Sequence, residues 1–271
     1  MDCLYINLST QTERRAFLEK NFADNKLPGW RLSRLEAVDG SVVARESIDG
    51  SLSDNAKACF LSHRKAITES LNSPGHVLIL EDDALFGKES CKRIQNAIAS
   101  IPDGKWDLIY TDICFASVYL MIELFVARRK LDANQQSVFL ELRKSPFAGS
   151  TAYVVNRNSK AKVLDIVNSA GTLDVPYDLY LEQRIHKSEF EARVIFPFPT
   201  SLSEFADRSA IQSEDKAAAD DVIWNAFRRL VWAERDIDQV AQALERIEVS
   251  RLDAETIAFS KILTGQLAKR E

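Results

Sequence analysis

The apolar residues of the chain fall into short continuous runs that alternate with longer amphipathic stretches. Continuous apolar runs are typical of strands buried on both faces of a sheet, whereas apolar residues three and four positions apart are typical of helices. We predict strands at 4–8, 30–38, 77–80, 106–110, 149–155 and 194–196. We predict helices at 10–22, 53–71, 91–101 and 159–167. This alternation predicts an α/β fold built on a mostly parallel sheet.

Two regions depart from this alternation. In 117–139 an apolar run passes directly into three consecutive basic residues, so neither a helix nor a strand is assigned there. Beyond about residue 201, Gly and Pro nearly vanish, and a helical composition fills the stretches near 217–233, 237–248 and 254–268. We therefore predict an α/β domain over 1–205 and a C-terminal helical appendage over 206–271.

The composition is that of a folded protein with no general affinity for polyanions. The chain has 271 residues, 46% of them hydrophobic, which is enough to bury a large core and excludes a disordered chain. Its formal net charge of -5 at pH 7 argues against nucleic acid as a partner. The four cysteines form no Cys-x-x-Cys pair, which favours a reduced, cytoplasmic protein. No apolar run reaches the roughly 20 residues that span a bilayer, so we expect any membrane contact to be peripheral.

Three acidic residues, Glu81, Asp82 and Asp83, follow the predicted strand at 77–80. Open α/β sheets bind ligands at the carboxyl ends of their strands, which is where these side chains fall. Because side chains alternate along a strand, we expect Glu81 and Asp83 on one side and Asp82 on the other. Paired carboxylates favour a hard cation, Mn²⁺ or Mg²⁺, which neutralises a diphosphate leaving group. A solvated acidic turn explains the triplet alone equally well.

Short motifs that include this triplet stand in a fixed order along about 1–211. They are Tyr5-Ile6-Asn7-Leu8 with Glu13-Arg14-Arg15, Ala37-Val38-Asp39-Gly40, Ala58-Cys59-Phe60-Leu61-Ser62-His63, Ile79-Leu80-Glu81-Asp82-Asp83, Gly149-Ser150-Thr151-Ala152-Tyr153 and Pro176-Tyr177-Asp178. Each is weak alone, but the ordered set resembles glycosyltransferase family 25, the bacterial lipopolysaccharide-type and collagen-type galactosyl- and glucosyltransferases. Two places depart from the family's pattern, since Ala58 stands where Gly is usual and Thr111-Asp112 fits poorly.

The resemblance implies a hexosyltransferase with a GT-A-like α/β fold, in which a single Rossmann-like, mixed, mostly parallel sheet is flanked by helices. It implies the transfer of galactose or glucose from a UDP-sugar to a hydroxyl of a bacterial surface glycan, such as lipopolysaccharide or lipooligosaccharide, with inversion at the sugar. Mn²⁺ or Mg²⁺ is expected on Glu81 and Asp83, and Asp82 is expected to contact the nucleotide-sugar. The expected partners are the UDP-sugar donor and a glycan or lipid-linked glycan acceptor. The expected location is the cytoplasm or the cytoplasmic face of the inner membrane.

The remaining residues assigned to the nucleotide-sugar come from the first two motifs. Asn7 and Leu8 end the first predicted strand, and the guanidinium of Arg14 is expected to reach a phosphate. Asp39 is expected to accept hydrogen bonds from the uracil or ribose, while Gly40 permits a close approach. The alternative for Arg14 is an arginine that only decorates a helix surface. The alternative for Asp39 and Gly40 is an ordinary turn.

Asp178 is the expected catalytic base, because an inverting transfer needs a group that takes the proton of the attacking hydroxyl. It occupies the family's Pro-x-Asp position and falls in the first turn of a helix that begins at Pro176. Glu182, one turn further on, and Asp112 are reserve candidates. The alternative for Asp178 is a carboxylate that only stabilises the helix dipole.

His63 lies on the apolar stripe of its predicted helix, so we expect a packed core residue and not a metal ligand. Together with Ser62, it is expected to hold the acidic loop from behind. Tyr153 is likewise expected in the core.

The stretch 223–232 mixes aromatic residues with two arginines. We expect it to pack against neighbouring helices or a second copy of the chain; insertion into an anionic leaflet is the alternative.

Two other functions stay open from the sequence. One is a metal-dependent nucleotidyltransferase or phosphohydrolase, which the lack of a Gly-rich phosphate loop disfavours. The other is a non-catalytic glycan- or partner-binding module that retains the fold, which the intact acidic triplet disfavours.

Overall fold

The computed structural model describes residues 1–115, 117–132, 136–208, 224–238 and 240. Its strands are β1 (Asp2–Asn7), β2 (Arg31–Glu36), β3 (Val77–Glu81), β4 (Ala84–Phe86), β5 (Leu108–Phe115), β6 (Val138–Glu141), β7 (Phe147–Val155), β8 (Ala192–Phe196) and β9 (Thr200–Leu202). Its helices are α1 (Thr12–Asn25), α2 (Gly40–Glu46), α3 (Asp54–Ser70), α4 (Ser90–Ala99), α5 (Val118–Asp132), α6 (Lys160–Asn168) and α7 (Tyr177–His186). Residues 224–231 are also helical and are called the 224–231 segment below.

Seven of the strands form one sheet in the order β2-β1-β3-β7-β5-β8-β6. β1 is parallel to both β2 and β3, and β5 is parallel to β8. β7 is antiparallel to both of its neighbours, β3 and β5, and β6 is antiparallel to β8. The strands β2, β1, β3, β5 and β8 therefore point one way, and only β7 and β6 oppose them within this sheet. The predicted α/β fold with a mixed, mostly parallel sheet is confirmed.

Both faces of the sheet are covered by helices, which explains why β3 is apolar at four consecutive positions. Ile79 packs into a core layer with Phe60 of α3. Leu80 packs into the opposite layer with Phe22 of α1 and Ile94 of α4. A central strand with helices on both faces buries every side chain, so its sequence shows no alternation.

The strands and helices predicted before residue 200 are all present, with ends that shift by a few residues. The strand predicted at 106–110 runs on to Phe115. Its register against β7 shifts at Asp112, where the sequence becomes polar. The unassigned stretch 117–139 contains α5 and the start of β6. Strands β4 and β9 were not predicted because three residues are too few for a periodic signal, and α2 because two β-branched valines obscure it.

The 224–231 segment packs against the α/β domain. Phe227, Leu230 and Val231 are buried in the same core layer as Ile79. Trp232 then forms a parallel bridge with Phe198. Most of the residues of the predicted helices at 237–248 and 254–268 lie outside the described part of the chain, and the boundary at 205/206 stays a prediction. Among the described residues, no helix combines the length and apolar character needed to cross a bilayer.

Candidate active site

The acidic triplet lies where the strand β3 leaves the sheet. Glu81 is the last residue of β3 and pairs with Ile6 of β1, so the carboxyl ends of the two parallel strands lie side by side. Asp82 and Asp83 follow in the tight turn that leads into β4. The fold therefore brings the first motif of the sequence to the edge that carries the triplet.

The three carboxylates separate onto two sides. Glu81 and Asp83 both line a cavity of about 520 Å³. Asp82 turns toward β1, where its Oδ2 accepts a hydrogen bond of 2.7 Å from the amide of Asn7. Arg14 of α1 bridges the two sides, with Nε at 2.7 Å from Asp82 Oδ1 and Nη2 at 2.8 Å from Asp83 Oδ2. Glu81 and Asp83 thus share the cavity that Asp82 does not line, as the alternation predicted, while all three carboxylates line the smaller groove described below.

Asp83 is buried with little compensation for its charge. Burial and the neighbouring charge of Glu81 raise its pKa to about 7, against the opposing effect of Arg14. Its Oδ1 atom is buried and has no hydrogen-bond partner among the described residues. Burial also raises the pKa of Asp82 despite its ion pair with Arg14. The site therefore concentrates negative charge that the protein itself only partly neutralises.

These residues fit a divalent cation. Mg²⁺ and Mn²⁺ prefer carboxylate oxygens, and the unpartnered oxygen of Asp83 lies in a cavity that Glu81 shares. Glu81 and Asp83 are the side chains that would hold the cation.

Asp178 lines the same cavity from α7. Its Oδ2 accepts a hydrogen bond of 2.7 Å from the backbone N–H of Gly149, and its Oδ1 accepts one of 2.9 Å from the N–H of Leu179. Gly149 has φ of +93°, a conformation that L side chains rarely adopt, and it presents its N–H to the carboxylate. Two backbone donors orient the carboxylate and leave it further lone pairs.

The two reserve candidates lie elsewhere. Glu182 accepts a hydrogen bond of 3.2 Å from the N–H of Phe147 and does not line the cavity. Asp112 is fully buried and ion-paired with Arg228.

Arg228 is a cavity residue that the sequence did not indicate. Its Nε and Nη2 atoms lie 2.9 and 2.5 Å from the two oxygens of Asp112, and Nη2 also lies 2.9 Å from Thr151 Oγ1. The side chain of Arg228 also lines the cavity. The pair joins positions 116 residues apart, and no local sequence signal could have identified it.

A smaller groove of about 140 Å³ lies on the other side of the triplet. It is lined by five of the residues assigned to the nucleotide-sugar, namely Asn7, Leu8, Arg14, Gly40 and Asp82. Glu81, Asp83 and Cys59 line both the groove and the larger cavity. The carboxylates thus lie at the border between two adjoining spaces.

Asp39 does not line this groove. Its side chain caps α2, where it accepts a hydrogen bond of 2.8 Å from the N–H of Ser41, and this bond lowers its pKa. This is the helix-capping role of an aspartate, close to the ordinary turn named as the alternative. Its predicted contact with the uracil or ribose stays a prediction. Gly40 is close to Asn55, since a Cβ at Gly40 would lie 2.3 Å from Asn55 Oδ1.

His63 is buried behind the triplet, as expected. Its Nε2 lies 3.4 Å from Glu81 Oε1, and its Nδ1 lies 3.1 Å from the hydroxyl of Tyr153, which is also in the core. Among the described residues, the hydrogen bonds of Ser62 do not reach the acidic loop. Its hydroxyl accepts one from the N–H of Val38, which follows β2, and donates one to the carbonyl oxygen of Ala58.

Comparison with models of protein families identifies the family of this chain. The model described as glycosyltransferase family 25 (LPS biosynthesis protein) matches residues 1–181. No curated protein sequence matches significantly. The glycosyltransferase GlyE of Streptococcus pneumoniae TIGR4 is similar in structure, with a TM-score of 0.38 and 10% identity over 70% of this chain and 44% of that chain. Mouse xyloside xylosyltransferase 1 in its apo form is similar with a TM-score of 0.38 and 8% identity, over 71% of this chain and 70% of that chain.

The chain spans less than half of the GlyE chain, and at these identities the two structures carry no argument about function. The family match, in contrast, extends over residues 1–181 of 271, well beyond half of the chain, and includes every motif from β1 to α7. The chain therefore belongs to glycosyltransferase family 25.

Proposed function

We propose that this glycosyltransferase moves a hexose, galactose or glucose, from a UDP-sugar to a hydroxyl of a bacterial surface glycan. The description of the family as a lipopolysaccharide biosynthesis protein supports an acceptor of this class. The acceptor would be a glycan or lipid-linked glycan, reached from the cytoplasm or from the cytoplasmic face of the inner membrane.

The observation that carries the proposal is the position of Glu81 and Asp83 at the border of two spaces. The smaller groove, with Asn7, Leu8 and Arg14, suits the nucleoside. The larger cavity suits the hexose and the acceptor. The diphosphate then falls between them, beside the two carboxylates.

Glu81 and Asp83 would hold Mn²⁺ or Mg²⁺, which neutralises charge on the departing UDP. Arg228 adds a fixed positive charge on the wall of the cavity, where it would attract an oxygen of the donor. Arg14 would exchange its contacts with Asp82 and Asp83 for a phosphate oxygen, as a planar guanidinium can bind either group.

Asp178 would act as the base. It lines the cavity that suits the acceptor, and backbone donors from Gly149 and Leu179 hold it in one orientation. In an inverting transfer it would accept the proton of the acceptor hydroxyl while that oxygen attacks the anomeric carbon and UDP leaves.

Product analysis tests this function. The purified chain is incubated with a panel of UDP-sugars, with Mn²⁺ or with a chelator, and with or without lipooligosaccharide acceptors. We expect a metal-dependent glycosylated product with one UDP-hexose. Release of UMP or inorganic phosphate instead would indicate a nucleotidyltransferase or phosphohydrolase, and absence of both turnover and UDP binding would indicate a binding module.

A further inference from the structure

We propose that Cys59, His63 and Glu81 form a second metal site, for a thiophilic divalent cation such as Zn²⁺. The site shares Glu81 with the Mn²⁺ site and differs from it in its other ligands. Its existence does not depend on the proposed function, although its effect on transfer does.

The three side chains converge from two elements. Cys59 and His63 are four residues apart on α3, so they share one face of the helix, and Glu81 ends the neighbouring strand β3. One potential ligand atom of each lies within 4.8 Å of the other two. A cysteine, a histidine and a carboxylate are three of the ligand types that zinc accepts, and three protein ligands with an open fourth position are typical of a catalytic or exchangeable zinc site.

The distance between His63 Nε2 and Glu81 Oε1 fits two ligands of one zinc ion. It is 3.4 Å, which is long for a hydrogen bond. Two ligand atoms at about 2.0–2.1 Å from a tetrahedral metal are about 3.4 Å apart. The pair is therefore already spaced as a metal would require.

The surroundings of His63 also suit a metal ligand. Its Nδ1 lies 3.1 Å from the hydroxyl of Tyr153, which in turn lies 2.8 Å from the hydroxyl of Tyr177. When Tyr153 donates to Tyr177, its oxygen accepts the Nδ1 proton, and Nε2 presents a lone pair toward Glu81. The ring is stacked on Tyr177 at 4.2 Å between centroids, which fixes its plane.

Access and selectivity follow from the same geometry. Cys59 and Glu81 line both the cavity and the groove, so a cation can enter from either. A thiolate favours Zn²⁺ over Mn²⁺ and Mg²⁺, and binding releases the thiol proton to solvent. A bound Zn²⁺ takes Glu81 away from Mn²⁺, so zinc is expected to antagonise Mn²⁺-dependent transfer.

Cobalt substitution tests the site directly on the full chain. Co²⁺ bound to a thiolate gives a charge-transfer absorption in the near ultraviolet, which oxygen ligands alone do not give. We expect this band in the parent protein and its loss in Cys59→Ser. Cys114→Ser is the matched control because Cys114 lines the same cavity outside the cluster. No band in the parent protein, or a band lost equally in the control, would overturn the proposal.

Alkylation of the parent protein gives an answer even if Cys59→Ser does not fold. The rates at Cys59 and Cys114 are compared by mass spectrometry without metal, with Zn²⁺ and with Mn²⁺. We expect Zn²⁺ to slow modification of Cys59 by at least ~tenfold while Cys114 changes little, and Mn²⁺ to protect neither. Equal rates at Cys59 with and without Zn²⁺ would refute the site. Neither assay uses a UDP-sugar, so their failure is separate from any failure of the proposed transfer.

Discussion

Arg228 and Asp112 form a buried, two-pronged ion pair that ties the 224–231 segment to β5 at the wall of the cavity. The two hydrogen bonds measure 2.9 and 2.5 Å, and the side chains are 8% and 0% exposed. Arg228 lies beyond the residues 1–181 that match the family, yet it lines the same cavity as Glu81 and Asp83. The C-terminal part of this chain therefore contributes to the candidate active site.

Removing one partner of this pair should destabilise the fold strongly. Asp112→Ala leaves the guanidinium of Arg228 buried without its counter-charge, and we expect the free energy of unfolding to fall by about 3–5 kcal/mol in urea titrations. Asp24→Ala is the control, because Asp24 pairs with Lys20 on the exposed face of α1. Its expected change is within about 0.5 kcal/mol. Similar losses in the two variants would contradict a structural role for the Arg228–Asp112 pair.

Asp83→Asn should stabilise the metal-free protein while removing its response to metal. The pKa of Asp83 rises from 3.8 to about 7 on folding, so its ionisation costs stability as the pH rises across that interval. The free energy of unfolding of the variant should therefore exceed that of the parent by roughly 1 kcal/mol or more at about pH 8, with a smaller difference at about pH 5. Excess Mn²⁺ should reverse the order at the higher pH, because only the parent gains from binding. A variant less stable than the metal-free parent at both pH values would argue against the charge repulsion described above.

Asp178→Asn should slow transfer without weakening the binding of the donor. The amide still accepts a hydrogen bond from Gly149 but does not take a proton, so kcat should fall ~10²–10⁴-fold while the Kd for UDP stays within about twofold. Glu182→Gln, one turn along α7 and outside the cavity, should change kcat far less. Steady-state kinetics and calorimetry on both variants separate the roles. Equal losses in the two would assign the effect to the helix and not to the base.

Gly50→Ala should disrupt the contact between the loop at Gly50 and the backbone of Leu173. Gly50 has φ of +127°, and an added Cβ would lie 2.2 Å from the backbone oxygen of Leu173. A backbone atom cannot move aside as a flexible side chain does, so we expect a loss of at least about 2 kcal/mol in unfolding free energy. Gly75→Ala, where an added Cβ meets nothing within 4 Å, is the matched control. Thermal melts that do not distinguish the two variants would contradict this account.

The sequence predicted most of the sheet because its strands are either continuous apolar runs or bounded by clear turns. The run at 77–80 is the best example, since both faces of β3 are buried by helices that the sequence also shows. The triplet was located for the same reason: the carboxyl end of a parallel strand is set by the direction of the chain.

What the sequence could not predict depends on contacts between distant positions. Asp112 was only a reserve base because nothing near it indicates Arg228. A local feature was missed as well, because the valines of α2 concealed the helix that Asp39 caps. The contact of Asp39 with the nucleotide stays a prediction. The spacing of Cys59 and His63 can be read from the sequence, but Glu81 joins them only because α3 packs against β3.

Calorimetric titration of UDP in the presence of Mn²⁺ tests the central claim that Glu81 and Asp83 hold the cation that binds the donor. We expect the parent protein to bind UDP with Mn²⁺, to lose at least ~tenfold in affinity when the metal is chelated, and to show no metal effect in Glu81→Gln or Asp83→Asn. Circular dichroism of each variant checks that it is folded. Equal UDP affinity with and without Mn²⁺ in the parent, or an undiminished Mn²⁺ effect in both variants, would contradict the claim.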